Sequence, residues 1–479
     1  MIRRLLFAAA ALALLVPAAR ADVKLHPLFS DGMVLQQGKE CPIWGTADPG
    51  EKITVTFAGT ARIESECEAD KEGRWKSDFP LGVVKVKALD NGTYTLTIKG
   101  KNTVTIKDVY VGEVWIASGQ SNMEQAINST TNADEAKKNA GNAKLRLFTV
   151  ERIAADKPQD TIPVIDKPGQ QIKGKWIESG PETIGSFSAV AYYFGRDLQK
   201  ALDVPVGIIH TSWGGTASEE WTSMKVLDAH PEHKGKHPRQ AKLYNGMIAP
   251  LIPYAIKGAI WYQGESNANR AELYKTGFPL MIQNWRDDWK QGDFPFLFVQ
   301  LAPFMKIEKE PTDTAWARLR EAQLQTTTKA KHTAMAVITD VGDETDIHPK
   351  RKEPVGHRLA LAADAIAYGK KIEYSGPVFD KMTVDGNNAV LTFKHVGGGL
   401  EAKDGPLTGF TIAGEDKMFH NAEAEIKGDT VVVSCKDVEK PAAVRFGWAN
   451  YPVVNLWNKA GLPASPFRTD DFPMITKAK

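Results

Sequence analysis

Val114-Trp115-Ile116-Ala117-Ser118-Gly119-Gln120-Ser121-Asn122-Met123 is the stretch that decides the fold class. Its first four residues form an apolar, β-prone run with no polar alternation. Such a run reads as a strand buried on both faces, which belongs in a parallel sheet. The run ends in Gly and polar residues, and a helix-like stretch follows. A strand ending this way holds a hydroxyl, here that of Ser121, at the carboxyl edge of a sheet. The free N–H groups of a helix start surround it there. Ser is also a favoured helix cap, so the turn alone leaves two readings open.

The flanking sequence extends the pattern. Strand-like runs at 109–117, 204–211, 256–262, 294–301 and 333–339 alternate with helix-like runs at 188–202, 268–290, 314–329 and 352–368. This alternation predicts an α/β domain over 109–368, with about five parallel strands and right-handed crossovers. Before it, 22–108 holds short β-type runs cut by turn residues, with a tight-turn signal at Asn91-Gly92. After it, 369–479 returns to the same pattern. Both flanks are expected to be β-sandwich domains. Residues 154–186 are polar and rich in Gly and Pro, and read as a long surface excursion. His230, His233 and His237 fall on a second loop that is expected to be exposed. Its flexibility offers no rigid frame for a metal.

Composition narrows the function classes. At 479 residues the chain exceeds what one core supports. Residues 1–21 read as a cleavable secretory signal peptide: Arg3 and Arg4, an apolar run, then Ala19-Arg20-Ala21. This run is too short to be a comfortable membrane span. The formal net charge is +2, and the leader's only charged side chains are Arg3, Arg4 and Arg20. The rest of the chain is therefore near neutral, and neither nucleic acid nor a membrane surface is an expected partner. Three cysteines rule out a disulfide-rich scaffold. Cys41 and Cys67 lie close enough in sequence to pair in an oxidising compartment, leaving Cys435 as a small buried residue. No cysteine pair has zinc-ligand spacing, and no cofactor or metal is expected.

In open α/β sheets ligands bind at the carboxyl ends of the strands. Four of these ends carry small or polar residues: Gly119-Gln120-Ser121, Ser212-Trp213-Gly214-Gly215-Thr216, Gln263-Gly264-Glu265-Ser266-Asn267, and Asp340 through Pro349. A serine nucleophile needs a base and a carboxylate to orient that base. Of the ten histidines, only His348 follows a strand of the α/β domain. Asp346, two residues before it, shares its side in an extended loop. Asp340 and Asp343 compete with Asp346 for the orienting role. Pro349 suits the opening turn of a helix. Donors for an oxyanion are expected from the N–H of Ser121, a backbone N–H of Gly214 or Gly215, and the side-chain amide of Gln263, with Asn267 second. Glu265 reads as a carboxylate that ties these loops together.

Gly119-Gln120-Ser121-Asn122-Met123, Ser212-Trp213-Gly214-Gly215-Thr216, Trp261-Tyr262-Gln263-Gly264-Glu265-Ser266-Asn267 and Asp346-Ile347-His348-Pro349 resemble the motif blocks of the sialate O-acetylesterase family, in the SGNH hydrolase superfamily. Leu28 to Gln36 resembles that family's β-rich N-terminal domain. The resemblance implies a flavodoxin-like three-layer α/β/α core. It implies a serine esterase with Ser121 as nucleophile, His348 as base and Asp346 as its partner, working without metal. Its substrate would be an acetylated carbohydrate, with Gln120, Asn122, Glu265 and Asn267 at the substrate. The third block departs from the superfamily pattern, with Gln263 where an Asn usually serves the oxyanion. Longer relatives carry an extra β domain between the second and third blocks. Here only 224–241 fills that gap, which implies a more open cleft. Two other readings stay open: an SGNH esterase for other acyl groups, and a non-catalytic carbohydrate-binding protein whose twelve Trp serve sugar stacking.

Overall fold

The computed structural model describes residues 22–59, 62–79 and 93–472; the leader and the Asn91-Gly92 turn lie outside these. The centre is a mixed sheet. Its strands are β1 (Thr103–Gly119), β2 (Asn142–Thr149), β3 (Trp176–Ser179), β4 (Val206–Ser212), β5 (Gly258–Tyr262), β6 (Phe296–Val299) and β7 (Thr333–Ala336). They run in the order β3-β2-β4-β1-β5-β6-β7. All are parallel to their neighbours except β3, which is antiparallel to β2 at the edge. The strand-like runs of the sequence correspond to β1, β4, β5, β6 and β7; β2 and β3 have no such run. After β1 the chain fills one side of the sheet, then crosses to β5 and fills the other. The carboxyl end of β1 is therefore a topological switch point, where such sheets bind ligands.

Helices cover both faces. Val114 and Ile116 point to the side of α3 (Ala271–Trp289) and α4 (Ala315–Lys329), into one apolar cluster with Met281, Trp285 and Leu319. Trp115 and Ala117 point the other way, to α2 (Ala189–Leu202) and α5 (Glu353–Ile366), and pack with Phe194, Val355 and Leu359. This two-sided burial is why residues 114–117 of β1 show no polar alternation. Ser188 caps α2 and Thr314 caps α4, each side chain accepting an N–H of the first turn at 3.2 Å. Helix α5 opens at Glu353 with Pro354 in its first turn, so Pro349 does not open it.

The expected boundary at 108/109 falls inside a single strand. β1 runs 17 residues, pairing antiparallel with Tyr94–Lys99 before it enters the central sheet. The N-terminal strands share the apolar cluster of one sheet face. Tyr254 Oη donates to Val34 O at 2.7 Å, and Trp176 Nε1 to Leu28 O at 2.9 Å. Trp176 lies in β3, so the excursion at 154–186 is partly packed rather than wholly on the surface. The histidine loop is also less exposed than expected: His233 is buried and its Nε2 meets Thr276 Oγ1 at 3.1 Å. Cys41 and Cys67 are both free thiols, on strands of separate sheets.

The C-terminal strands build their own core around Leu391, Val433 and Phe446. Arg320 on α4 joins this unit to the α/β core. It is fully buried and donates to Leu301 O, Ala302 O, Ala449 O and Asn450 O at 2.7–2.9 Å. Arg320→Leu takes the donor from Leu301 O and Ala449 O, while Ala302 O keeps Trp316 Nε1 and Asn450 O keeps Phe304 N, and is expected to lower unfolding free energy by about 3 kcal/mol or more. A urea midpoint equal to wild type would refute that.

Candidate active site

The carboxyl end of β1 is held by its neighbours' backbones. Gln120 N donates to Tyr262 O at 3.0 Å, and Trp213 N to Gly119 O at 3.1 Å. Gly119 adopts φ +137°, and a Cβ there would lie 2.2 Å from Tyr262 O. Only glycine fits such a close crossing. The chain then turns into the short helix α1 (Ser121–Glu124), whose N-cap is Gln120. Ser121 is therefore the first helical residue and not the cap. Its N–H and that of Asn122 have no carbonyl one turn earlier to bond.

Ser121 Oγ lies 2.8 Å from His348 Nε2. His348 Nδ1 is 3.5 Å from Asp346 Oδ1, which also accepts the His348 backbone N–H at 2.8 Å. One carboxylate oxygen thus meets both the ring and the backbone of His348. The competing aspartates are committed elsewhere. Asp343 Oδ1 accepts Thr345 N, Thr345 Oγ1 and Asp346 N at 2.8–3.1 Å, a turn that shapes the loop. Asp340 forms a two-point pair with Arg358 at 2.6 and 2.9 Å. Among the described residues, no group of three or more His, Cys, Asp or Glu is arranged to hold a metal ion.

The expected oxyanion donors fare differently. Gly214 packs against Ser121, since a Cβ there would lie 3.2 Å from Ser121 Cβ. Its N–H, however, is taken by Glu124 Oε2 at 2.7 Å, and Arg152 pairs with the other oxygen at 2.6 Å. Gly215, at φ +71°, has open space where a side chain would stand. Gln263 is fully buried. Its amide hydrogens go to Thr216 O at 3.1 Å and Asn267 Oδ1 at 2.7 Å, so it has none left to offer a substrate.

The expected substrate contacts are likewise turned inward. Gln120, Asn122 and Asn267 are buried. Gln120 Oε1 accepts Ser266 N at 3.3 Å, and Asn267 Nδ2 donates to the buried Glu219 at 2.9 Å. Asn122 Nδ2 donates to Glu265 Oε1 at 2.5 Å and to Ile347 O at 3.0 Å. Its Oδ1 accepts from Lys352 Nζ. These residues form a scaffold beneath the Ser121–His348 pair. Glu124, Arg152, Glu219 and Lys352 belong to it and carried no sequence signal. Burial raises the Glu265 carboxyl above its ordinary value, opposed by its own backbone N–H, its Asn122 hydrogen bond and the Lys352 charge. Burial pushes the Lys352 ammonium down to about 7, against the pull of Glu265 and Asp346.

A family model described as carbohydrate esterase, sialic acid-specific acetylesterase, matches residues 111–365. The chain belongs to that family. This makes it a carboxylic ester hydrolase, related in sequence and structure to characterised acetylesterases. It is 29% identical to human sialate O-acetylesterase over 494 residues, covering 92% of this chain and 91% of that protein. Identity to the mouse sialate O-acetylesterase is 31%, covering 76% of this chain and 77% of the other. A solved carbohydrate acetylesterase from Xanthomonas citri superposes with a TM-score of 0.85 at 40% identity, covering 94% of this chain and all of that one.

One further histidine of this acetylesterase-family chain is buried in the sheet. His210 is buried within β4, with Nε2 2.6 Å from Ser212 Oγ. Burial pushes it from 6.5 down to about 3. Between those values the unfolded chain binds a proton that the folded chain refuses, so stability falls as pH drops from 6.5 toward 3. The urea midpoint is expected to fall over that window, and less steeply in His210→Asn. Parallel profiles would count against this assignment.

Proposed function

We propose that this protein is a secreted SGNH-type serine esterase that removes O-acetyl groups from carbohydrates. The observation that carries the reading is the 2.8 Å contact between Ser121 Oγ and His348 Nε2 at the switch point of the sheet. Ser121 Oγ attacks the acetyl carbonyl carbon as His348 Nε2 takes the hydroxyl proton. Asp346 holds the ring in the tautomer that presents Nε2 as acceptor, and stabilises the imidazolium that forms. The developing oxyanion faces the Ser121 N–H, at the positive end of α1. A second donor comes from the glycine turn at Gly214-Gly215, where the Gly214 N–H must exchange Glu124 for the substrate oxygen. Collapse breaks the bond to the sugar oxygen, which takes the proton from His348 and leaves as the hydroxyl. Water then attacks the acetyl-enzyme by the same route in reverse and releases acetate.

All three relatives named above act, by their names, on acetylated sugars, and this supports the substrate class. Residues 1–21 support export, and among the described residues no helix is long and apolar enough to cross a membrane. The test is acetate release from O-acetylated sialic acid, acetylated xylan and a small acetyl ester, beside hydrolysis of a long-chain acyl ester. Acid-quenched enzyme should carry acetyl on Ser121 by peptide mass spectrometry. Turnover of the long acyl ester alone would overturn the substrate class, and an acetyl-enzyme at another residue would overturn the mechanism.

A further inference from the structure

We propose that Lys352 is a positioning residue for the Ser121–His348 pair, acting through the Asn122 side chain. The inference rests on the reading of Ser121 as nucleophile and His348 as base. Lys352 immediately precedes α5 and is 1% exposed. Lysine side chains ordinarily carry their charge to water, and burying one is costly unless it is paired. Here the ammonium donates to Asn122 Oδ1 and sits 5.2 Å from the centre of the Tyr262 ring. Glu265 and Asp346 are the acidic groups that act on it, one from the loop after β5 and one from the His348 loop. Glu265 Oε2 is buried without a hydrogen-bond partner, and the Lys352 charge adds to the Glu265 backbone N–H and the Asn122 amide in stabilising this carboxylate.

The position of Asn122 makes this arrangement more than a buried ion pair. Asn122 follows Ser121, and Ile347, whose carbonyl it holds at 3.0 Å, precedes His348. One planar amide therefore spans from the residue after the nucleophile to the residue before the base. Both of its hydrogens are engaged, by Ile347 O and Glu265 Oε1, and its oxygen by Lys352. Held at all three points, the amide cannot rotate. Without Lys352, its oxygen loses its donor and Glu265 loses its counter-charge. The plane is then free to turn away from Ile347, and the spacing of Ser121 and His348 is no longer fixed. A misplacement of about 1 Å between reacting groups costs roughly a hundredfold in rate.

The experiment measures two rates on the full chain: covalent labelling of Ser121 by a fluorophosphonate probe, and hydrolysis of a small acetyl ester. Lys352→Met is expected to slow labelling and lower kcat by roughly 30- to 100-fold, with KM within about twofold of wild type. Asn122→Ala should show the same loss. The double variant should lose no more than either single one, because both remove the same link. Labelling of K352M at the wild-type rate would overturn the proposal, as would a loss confined to KM or losses that add in the double variant. If K352M lacks the wild-type near-ultraviolet circular dichroism, Asn122→Ala decides alone: labelling at the wild-type rate overturns the link. A wild-type protein that takes no label, or a Ser121→Ala protein that still does, would instead remove the nucleophile reading on which the inference rests.

Discussion

Ser121→Ala is expected to lower kcat for acetyl ester hydrolysis by about ten-thousandfold or more, with KM changed by only a few-fold. In the proposed mechanism attack requires an oxygen at this position, and His348 Nε2, which would take its proton, lies 2.8 Å away. The alanine variant keeps the backbone donor and the surrounding scaffold, so residual catalysis over water should survive. The fold should survive as well, because Ser121 makes no side-chain cap for α1. The loss should therefore appear in kcat, with an unchanged urea midpoint. A variant within tenfold of wild type would remove Ser121 from the chemistry.

Gly119→Ala is expected to cost about 3–5 kcal/mol of unfolding free energy, large for a single methyl group. The added Cβ would stand 2.2 Å from Tyr262 O and 2.7 Å from Tyr262 C, on a backbone at φ +137°. No side-chain rotation relieves a clash with backbone, so β1 and β5 must separate at the strand end that bears Ser121. Overpacking supplies part of the loss and the glycine-only dihedral the rest. Denaturant unfolding at neutral pH measures it. A midpoint within experimental error of wild type would mean the strands part there without penalty, against the register of β1 and β5.

The α/β core was legible because two-sided burial leaves a direct mark on composition. Residues 114–117 of β1, 206–209 of β4 and all of β5 carry no charged or polar side chain apart from the Tyr262 hydroxyl, and the chain then changes to Gly and polar residues. β2 was missed for the converse reason. Asn142-Ala143-Lys144-Leu145-Arg146-Leu147-Phe148-Thr149 alternates charge with apolar residues and resembles a surface strand. Arg146 is nevertheless buried, with its guanidinium over the Tyr110 ring and bonded to Ala143 O and Tyr110 Oη. A pattern in sequence carries polarity but not where an arginine finds its partners.

The same limit divides the site. Ser121, Asp346 and His348 were legible because strand ends and short spacing are local properties. Of the serine's two readings, the fold removes the cap by putting Gln120 there, and the nucleophile reading rests on the proposal, with the His348 ring at the hydroxyl. Gln263 follows its strand as an oxyanion donor would, but the direction of its amide depends on Thr216 and Asn267, 47 residues before it and 4 after. Lys352 and Glu124 are ordinary charged residues in sequence, and they acquire roles only through Asn122 and Gly214. The sequence by itself determined which residue types stand at the carboxyl edge of the sheet, because hydrophobic periodicity and turn chemistry act over a few residues. Only the tertiary structure decided which of them face the cleft and which bond one another beneath it, because a hydrogen bond depends on directions set by chain segments far apart in sequence.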